Sequence, residues 1–309
     1  MKLITEAQVA QHLSPEQVRA ALRQAFEQFA RGEAAVLGRS RAALAQASGA
    51  PMVSAMGAVL PPLLGTKVYS TLSGQFQFLV NLFDAGSGAP LATLQANELT
   101  RLRTAATTAL AVDALAAPEV EALAVFGAGV QAQAHVEALL PLRPFKRLLL
   151  VARSRGEALA AQLAPLAQRL GVRVELADAA SALAQARVVL TCTRASEPLF
   201  DGHAVRPGTL VAAVGSSKPV ARELDDTLLA RASVVVVEWK TAALAEAGEL
   251  VQAAPGVLAA LPLRELGELL LQGWRPAPED IVVYKSVGIG LEDIALAGLV
   301  WQRLQGQAA

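Results

Sequence analysis

The sequence predicts an α/β fold in which a helix-covered parallel sheet, beginning near residue 122, is joined to a second domain of α+β character. Three observations carry this. From Leu123 onward short apolar runs alternate with helical stretches, the pattern of a parallel sheet covered on both faces. The first of these runs ends in Gly127-x-Gly129-x-x-Ala132, the strand-to-helix turn of a Rossmann-type dinucleotide domain. Between Arg39 and Ala96 the texture differs, with brief β-like runs separated by Gly and Pro, as in a mixed or antiparallel sheet.

Two helices open the chain. Thr5 with Gln8, and Ser14 with Pro15 and Gln17, are helix-start signals. The second helix puts Val18, Leu22, Ala25 and Phe29 on one face and stops at Gly32. Residues 67–72 and 75–83 are the clearest strands of the next region, and Asp84-Ala-Gly-Ser-Gly88 turns the chain back through 91–94. A helix follows over 98–117, with Asn97 as its cap and Pro118 beyond its end. Strands are expected at 123–126, 147–152, 173–176, 188–192, 209–214 and 233–237, then a helix at 263–273 behind Pro262, a strand at 281–284 and a last helix at 291–304.

Composition narrows the classes of function. The 309 residues suffice for two domains. Hydrophobic residues make up 53% and aromatics 4%, so Ala, Leu and Val must fill the core. A net charge of zero without a basic cluster argues against nucleic acid or anionic membrane as a partner. Cys192 stands alone, which excludes an internal disulfide and disfavours a Cys-based metal cluster. No metal and a cytoplasmic setting are the expectations. Glu6 follows Met1-Lys2 before any apolar run, so no signal peptide is read there. The uncharged stretch 42–66 is broken by Gln46, Ser48, Gly49, Pro51, Gly57, Pro61 and Pro62. A spanning helix needs about 20 apolar residues, so this stretch reads as buried strands and loops.

Two groups of residues suggest chemistry. At the glycine turn, Gly127 permits the bend, Gly129 lets the backbone approach a pyrophosphate, and the uncapped helix N-terminus meets its charge. The next strand ends Leu150-Val151-Ala152-Arg153-Ser154-Arg155, without the carboxylate that takes the ribose hydroxyls in an NAD site. Two guanidinium groups and a hydroxyl suit a 2′-phosphate. This favours NADP(H), with NAD(H) as a weaker second cofactor; a solvated strand end with two surface Arg is the alternative. The second group is Lys67, Arg103 and Arg41, three cations in apolar or neutral surroundings. A buried cation is costly unless paired. A substrate carboxylate would pair it; an ordinary salt bridge or a snorkelling side chain would also serve.

Four motifs in register carry a resemblance. Thr100-Arg-Leu-Arg-Thr-Ala-Ala106, Phe126-Gly-Ala-Gly-Val-Gln-Ala132, Val214-Gly-Ser-Ser-Lys-Pro219 with Arg222-Glu223-Leu224, and Lys285-Ser-Val-Gly-Ile-Gly-Leu-Glu-Asp293 together resemble the ornithine cyclodeaminase/μ-crystallin family. The resemblance implies a Rossmann domain over 118–289, and a substrate-binding and dimerisation domain made of 1–117 with 290–309. It implies that Arg41, Lys67 and Arg103 hold a substrate carboxylate, with Lys67 nearest the reacting centre and the α-carbon facing the nicotinamide. Gly127, Gly129, Val130 and Gln131 would meet the pyrophosphate, and Arg153, Ser154 and Arg155 the 2′-phosphate. Thr191, Thr193 and Val214 would lie beside the cofactor, and Lys285, Ser286 and Gly288 would close over the nicotinamide side. A homodimer is implied, with strand 75–83 as the expected interface edge.

The departures from the family pattern bear on activity. Cyclodeaminases carry a Glu and an Asp at positions that fall on Ser54 and near Ser217 here, and neither is acidic. Loss of ammonia needs such acid/base groups. What remains resembles the reductase branch, which reduces Δ1-pyrroline-2-carboxylate and Δ1-piperideine-2-carboxylate to L-proline and L-pipecolate. A cyclodeaminase-type lyase and a crystallin-like protein that binds NADPH without catalysis stay open. His135 is expected to be solvated, and Cys192 to be a small apolar residue. Trp239, Trp274 and Trp301 read as packing anchors. Glu292-Asp293 would either touch the cofactor side or cap the last helix.

Overall fold

A computed structural model describes residues 1–44 and 50–306. Gln46, Ser48 and Gly49, three of the residues that interrupt the uncharged stretch, and the end of the segment 290–309 lie outside the described residues. The chain begins β1 (Lys2–Ile4), α1 (Glu6–Gln11), α2 (Pro15–Ala30), β2 (Ala35–Ala43), β3 (Met52–Leu60), β4 (Leu63–Leu72), β5 (Gln75–Asp84), β6 (Pro90–Gln95) and α3 (Asn97–Leu115). It continues β7 (Ala122–Phe126), α4 (Val130–Leu139), β8 (Arg147–Val151), α5 (Gly156–Leu170), β9 (Arg173–Leu176), α6 (Ala179–Gln185), β10 (Val188–Thr191) and β11 (Leu210–Ala213). Last come α7 (Asp226–Arg231), β12 (Val234–Val237), α8 (Lys240–Glu246), α9 (Gly248–Val251), α10 (Pro255–Ala260), β13 (Leu263–Glu265), α11 (Leu266–Gln272), β14 (Val282–Lys285) and α12 (Gly290–Gly306). Two compact units result, Met1–Thr107 with Gly288–Ala309, and Thr108–Val287. The division falls inside α3 rather than at its end.

The first unit is a six-stranded sheet in the order β1-β6-β5-β4-β3-β2, antiparallel except for the parallel pair β1 and β6. Pairing brings Met56, Lys67 and Val80 into one row, and Arg41, Ser54, Tyr69 and Phe78 into the next. Residues directly opposite share a face, so both rows lie on the inner face. Helix α12 runs along that face from Lys67 towards Leu63. Its Asp293 reaches Lys67, Ile294 lies over Gly65, and Gly298 lies over Leu63. A Cβ at Gly290 would stand 2.3 Å from the Gly57 carbonyl oxygen, so two glycines let the start of α12 touch β3.

Several sequence-based expectations are corrected in this unit. Strand 75–83 is no edge, because β5 pairs on both sides with β4 and β6. Phe26, not Phe29, is the buried aromatic of α2. Thr5 and Gln8 do form a reciprocal capping box, whereas Ser14 makes no side-chain cap bond. Asn97 does not cap α3: its amide oxygen accepts the Phe78 N–H. The free N–H groups of Asn97 and Glu98 go instead to the Glu6 carboxylate, at 2.8 and 2.9 Å. A full negative charge at the positive end of the helix does this better than an amide.

The second unit is an eight-stranded, wholly parallel sheet in the order β13-β12-β14-β11-β10-β7-β8-β9. All residues of β7, β10, β11, β12 and β14 are buried, as strands covered on both faces require. The expected helix at 263–273 starts only at Leu266, because 263–265 pair with the open edge of β12. Among the described residues no helix is long and apolar enough to cross a membrane.

Replacing Glu6 with Ala should lower stability by about 1 kcal/mol, as loss of a helix cap does, read as a lower urea midpoint at unchanged slope. Ser14→Ala, which removes no cap bond, should leave the midpoint where it is.

Candidate functional site

The inner face of the first unit holds a buried ionic cluster. Lys67, 1% exposed, donates from Nζ to Asp293 Oδ1 at 2.9 Å and to Thr100 Oγ1 at 2.7 Å. Arg103 donates from Nη1 to Glu292 Oε2 at 2.8 Å, and its Nε lies 3.5 Å from Asp293 Oδ1. One carboxylate oxygen of Asp293 thus serves both cations, while its Oδ2 has no partner among the described residues. Glu292 also accepts from Thr107 and from the Ile289 N–H, so it anchors Arg103 and closes the start of α12 together. Asp293 and Glu292 are the partners that the sequence left undecided between capping and contact.

Lys67 and Arg103 share one Asp293 oxygen. Burial, helped by the nearby Arg103 and Arg39 charges, outweighs Asp293 and lowers the ammonium pKa from 10.5 to about 8. Its Nζ stands 4.4 Å from the centre of the Phe78 ring, a cation–π contact. Arg39, which sequence reasoning passed over for Arg41, donates from Nη2 to the Gly288 carbonyl at 2.9 Å. A bulge in β2 between Leu37 and Ser40 places it there. Arg41 is exposed, one row farther along the same face, opposite Ser54. Ser54 is 1% exposed and its hydroxyl has no partner among the described residues.

The second unit carries the glycine turn at the carboxyl edge of its sheet. Gly127 has φ +115°, and a Cβ there would lie 2.5 Å from the Cys192 carbonyl oxygen. At Gly129 a Cβ would meet nothing within 4 Å, so the missing side chain leaves open space beside the backbone. Gly129 precedes α4 with no side-chain cap, and Val130, the first helical residue, is 66% exposed. Gln131 has a buried Oε1 without a partner among the described residues. Open space, uncapped N–H groups and an unsatisfied polar atom fit a dinucleotide pyrophosphate. Arg153, Ser154 and Arg155 are all exposed at the end of β8. Arg155 has φ +62°, a conformation that L-residues other than Gly rarely adopt.

Behind these loops lies a network that sequence reasoning missed. Glu223, fully buried, accepts Thr191 Oγ1, Thr193 N, Thr193 Oγ1 and Gly215 N, all within 2.8 Å. Its own N–H goes to Glu249, which pairs with Lys285 at 3.0 Å. The hydroxyls of Thr191 and Thr193 are therefore spent on Glu223, and Val214 donates its N–H to Thr191 O. Lys285 corrects the expectation of a residue closing over the nicotinamide, since its ammonium is fully buried on Glu249 and the Ser216 carbonyl. Ser286 donates to buried Glu238. Gly288 belongs to the first unit, where a Cβ would strike Arg103 Nη1 at 2.4 Å. The signal for the network was the Arg222-Glu223-Leu224 triplet.

His135 is buried rather than solvated. Its Nδ1 is 2.7 Å from the Gln131 carbonyl and its Nε2 3.0 Å from Thr108 Oγ1. Burial and then the Glu223 carboxylate push the Cys192 thiol pKa up, which makes it inert. No group of acidic, His and Cys residues among the described residues is arranged to hold a metal.

A Rossmann-type parallel sheet with an open glycine turn, and a separate sheet holding paired buried cations, define a two-unit α/β protein of the dinucleotide-binding class. The chain belongs to the ornithine cyclodeaminase/mu-crystallin family, whose model matches residues 1–308. The mouse (Mus musculus) ketimine reductase mu-crystallin is 38% identical over 226 residues, 73% of this chain and 69% of that protein. The crystal structure of a probable ornithine cyclodeaminase from Bordetella pertussis Tohama I matches with TM-score 0.93 and 44% identity, over 99% of this chain and 98% of that one. The Thermococcus litoralis Δ1-pyrroline-2-carboxylate reductase, in complex with NADH and L-proline, matches with TM-score 0.90 and 25% identity, over 100% and 99%.

The two glycines should separate in experiment. Gly127→Ala meets both a positive φ and a backbone oxygen and should lower the unfolding midpoint. Gly129→Ala should fold with unchanged stability yet bind a nicotinamide dinucleotide at least ~10-fold more weakly, because the new methyl group fills the space beside the helix N-terminus. Equal effects at the two positions would contradict this reading.

Proposed function

We propose that the protein is a homodimeric NADPH-dependent reductase of cyclic imino acids, converting Δ1-pyrroline-2-carboxylate or Δ1-piperideine-2-carboxylate to L-proline or L-pipecolate, with NADH as a weaker donor. The observation that carries this is Lys67: a buried ammonium that meets the same Asp293 oxygen as Arg103, two adjoining cations between which a substrate carboxylate would be received.

Reduction of an imine adds a hydride to carbon and a proton to nitrogen. Bound NADPH supplies the hydride. Arg103 and Lys67, with Arg41 at the exposed margin, hold the carboxylate and so orient the C=N bond. Lys67 Nζ, fixed by Thr100 and Asp293, keeps its proton weakly enough to pass it to the imine nitrogen and regain it from water. Gly127, Gly129, Val130 and Gln131 receive the pyrophosphate. Arg153, Ser154 and Arg155 take the 2′-phosphate, which favours NADPH. Thr191, Thr193 and Val214, stiffened by Glu223, shape the adjoining strand ends, and Lys285 and Ser286 brace the loop behind them.

Dimerisation is supported by the outer face of the first unit's sheet, where Val53, Val59 and Leu79 are 50%, 44% and 44% exposed. Association with a second copy would cover these side chains. A cyclodeaminase is the second reading, favoured by the name of the 44% identical Bordetella protein. Ser54 and Ser217 speak against it, because neither supplies the carboxylate that ammonia loss requires.

The purified protein should consume NADPH when given Δ1-pyrroline-2-carboxylate, with a lower KM for NADPH than for NADH, and release no ammonia from L-ornithine. Lys67→Met should abolish turnover or raise the substrate KM by at least ~10-fold while NADPH binding survives. Ammonia release from L-ornithine without net NADPH consumption would replace this proposal with the cyclodeaminase, and binding of NADPH without either reaction would leave a binding protein.

A further inference from the structure

The inner face of the first unit is only partly covered by α12. The helix lies over the stretch from Leu63 to Lys67, and Tyr69, Phe76 and Phe78 continue the same face beyond its first turn. These three rings form one cluster. Phe76 and Phe78 are stacked at 5.7 Å with planes 2° apart, and Tyr69 packs on Phe78 at 5.1 Å. Phe78 lies under the Lys67 ammonium, and the outermost ring, Phe76, is 42% exposed. In a chain with 4% aromatic residues, three rings beside the buried cation are a concentration of flat apolar surface at the one place where an anion would be held.

The charges on this face are equally uneven. Among the described residues, the rows through Lys67, Tyr69 and Phe76 contain no carboxylate, and Glu292 and Asp293 are already engaged by Arg103 and Lys67. A substrate whose far end is an ammonium or guanidinium group would find no acid there. A hydrocarbon ring would find aromatic surface.

We infer that Tyr69, Phe76 and Phe78 form a ring seat that selects imino acids closed into a five- or six-membered hydrocarbon ring over open-chain imino acids that end in an ammonium or guanidinium group. The inference rests on the reductase reading for its substrate, and on geometry for the seat. A ring laid on Phe76 and Phe78 keeps its carboxylate towards Lys67 and Arg103. Contact with an apolar wall is made alike in the ground state and the transition state, and therefore acts on KM rather than kcat.

Phe76→Ala is the cleanest variant, because this ring is the most exposed of the three and does not touch Lys67. The KM for Δ1-piperideine-2-carboxylate should rise ~10-fold, as loss of apolar pocket contact does, with kcat within about twofold and NADPH binding unchanged. Phe76→Leu should restore most of the loss. Calorimetric titration with pyrrole-2-carboxylate, a flat and stable ring acid, should show the same ~10-fold weakening, while pyruvate, which has no ring, binds both proteins alike. Equal weakening of the two acids, or no change in either, would overturn the inference. Because the calorimetry needs no turnover, failure of the reductase reading appears in the activity assay alone, and failure of the ring seat appears in both.

Discussion

One carboxylate oxygen, Oδ1 of Asp293, holds the first unit's chemistry in place. It lies 2.9 Å from Lys67 Nζ and 3.5 Å from Arg103 Nε, and so ties β4, α3 and α12 together where each is fully buried. Removing charges from water costs several kcal/mol per ion, and removing one partner of such a pair leaves the other stranded. The fold therefore accepts a cost at this point that a hydrophobic cluster would not impose. The glycines follow from it: Gly57 and Gly290 bring the start of α12 against β3, and Gly288 leaves room for Arg103. Both acids sit in the first turn of α12, where negative charge is also favoured by the helix.

The second unit solves a related problem with neutral donors. Glu223 has no cation within hydrogen-bonding distance among the described residues and instead collects four donors from the ends of β10 and β11. These N–H and O–H donors satisfy the lone pairs of a carboxylate that water does not reach. The result is a stiff carboxyl edge on which Cys192 backs directly against the Gly127 turn. Ligands of open α/β sheets bind along that edge, and a stiff edge lowers the ordering cost of binding.

Much of this was legible in the sequence, for local reasons. Buried parallel strands are short Val and Leu runs, and a turn with φ +115° against a carbonyl needs a glycine. What stayed hidden was non-local. Lys67 and Asp293 are 226 residues apart, and Arg103 and Glu292 are 189 apart, so the cations read as unpaired when they are not. The capping of α3 by Glu6 spans 91 residues. Strand 75–83 was expected at a sheet edge, but β5 pairs on both sides, with β4 and β6, which only the assembled sheet reveals. The ring cluster depended on register: Tyr69 and Phe78 meet only because β4 and β5 pair at those positions.

Membership of the family fixes the fold, and the buried Lys67 ammonium carries the functional account. An ammonium with a pKa of about 8 is half protonated at pH 8, and a carboxylate bound beside it raises that pKa. Carboxylate affinity should therefore be full below pH 8 and fall as pH rises above it, with proton uptake on binding near the midpoint. Calorimetry of pyrrole-2-carboxylate binding at pH 8, repeated in buffers of different ionisation enthalpy, measures that uptake directly. The account predicts net proton uptake by the wild-type protein and none by Lys67→Met at whatever affinity remains. A binding enthalpy independent of buffer, or uptake that persists in Lys67→Met, would contradict it.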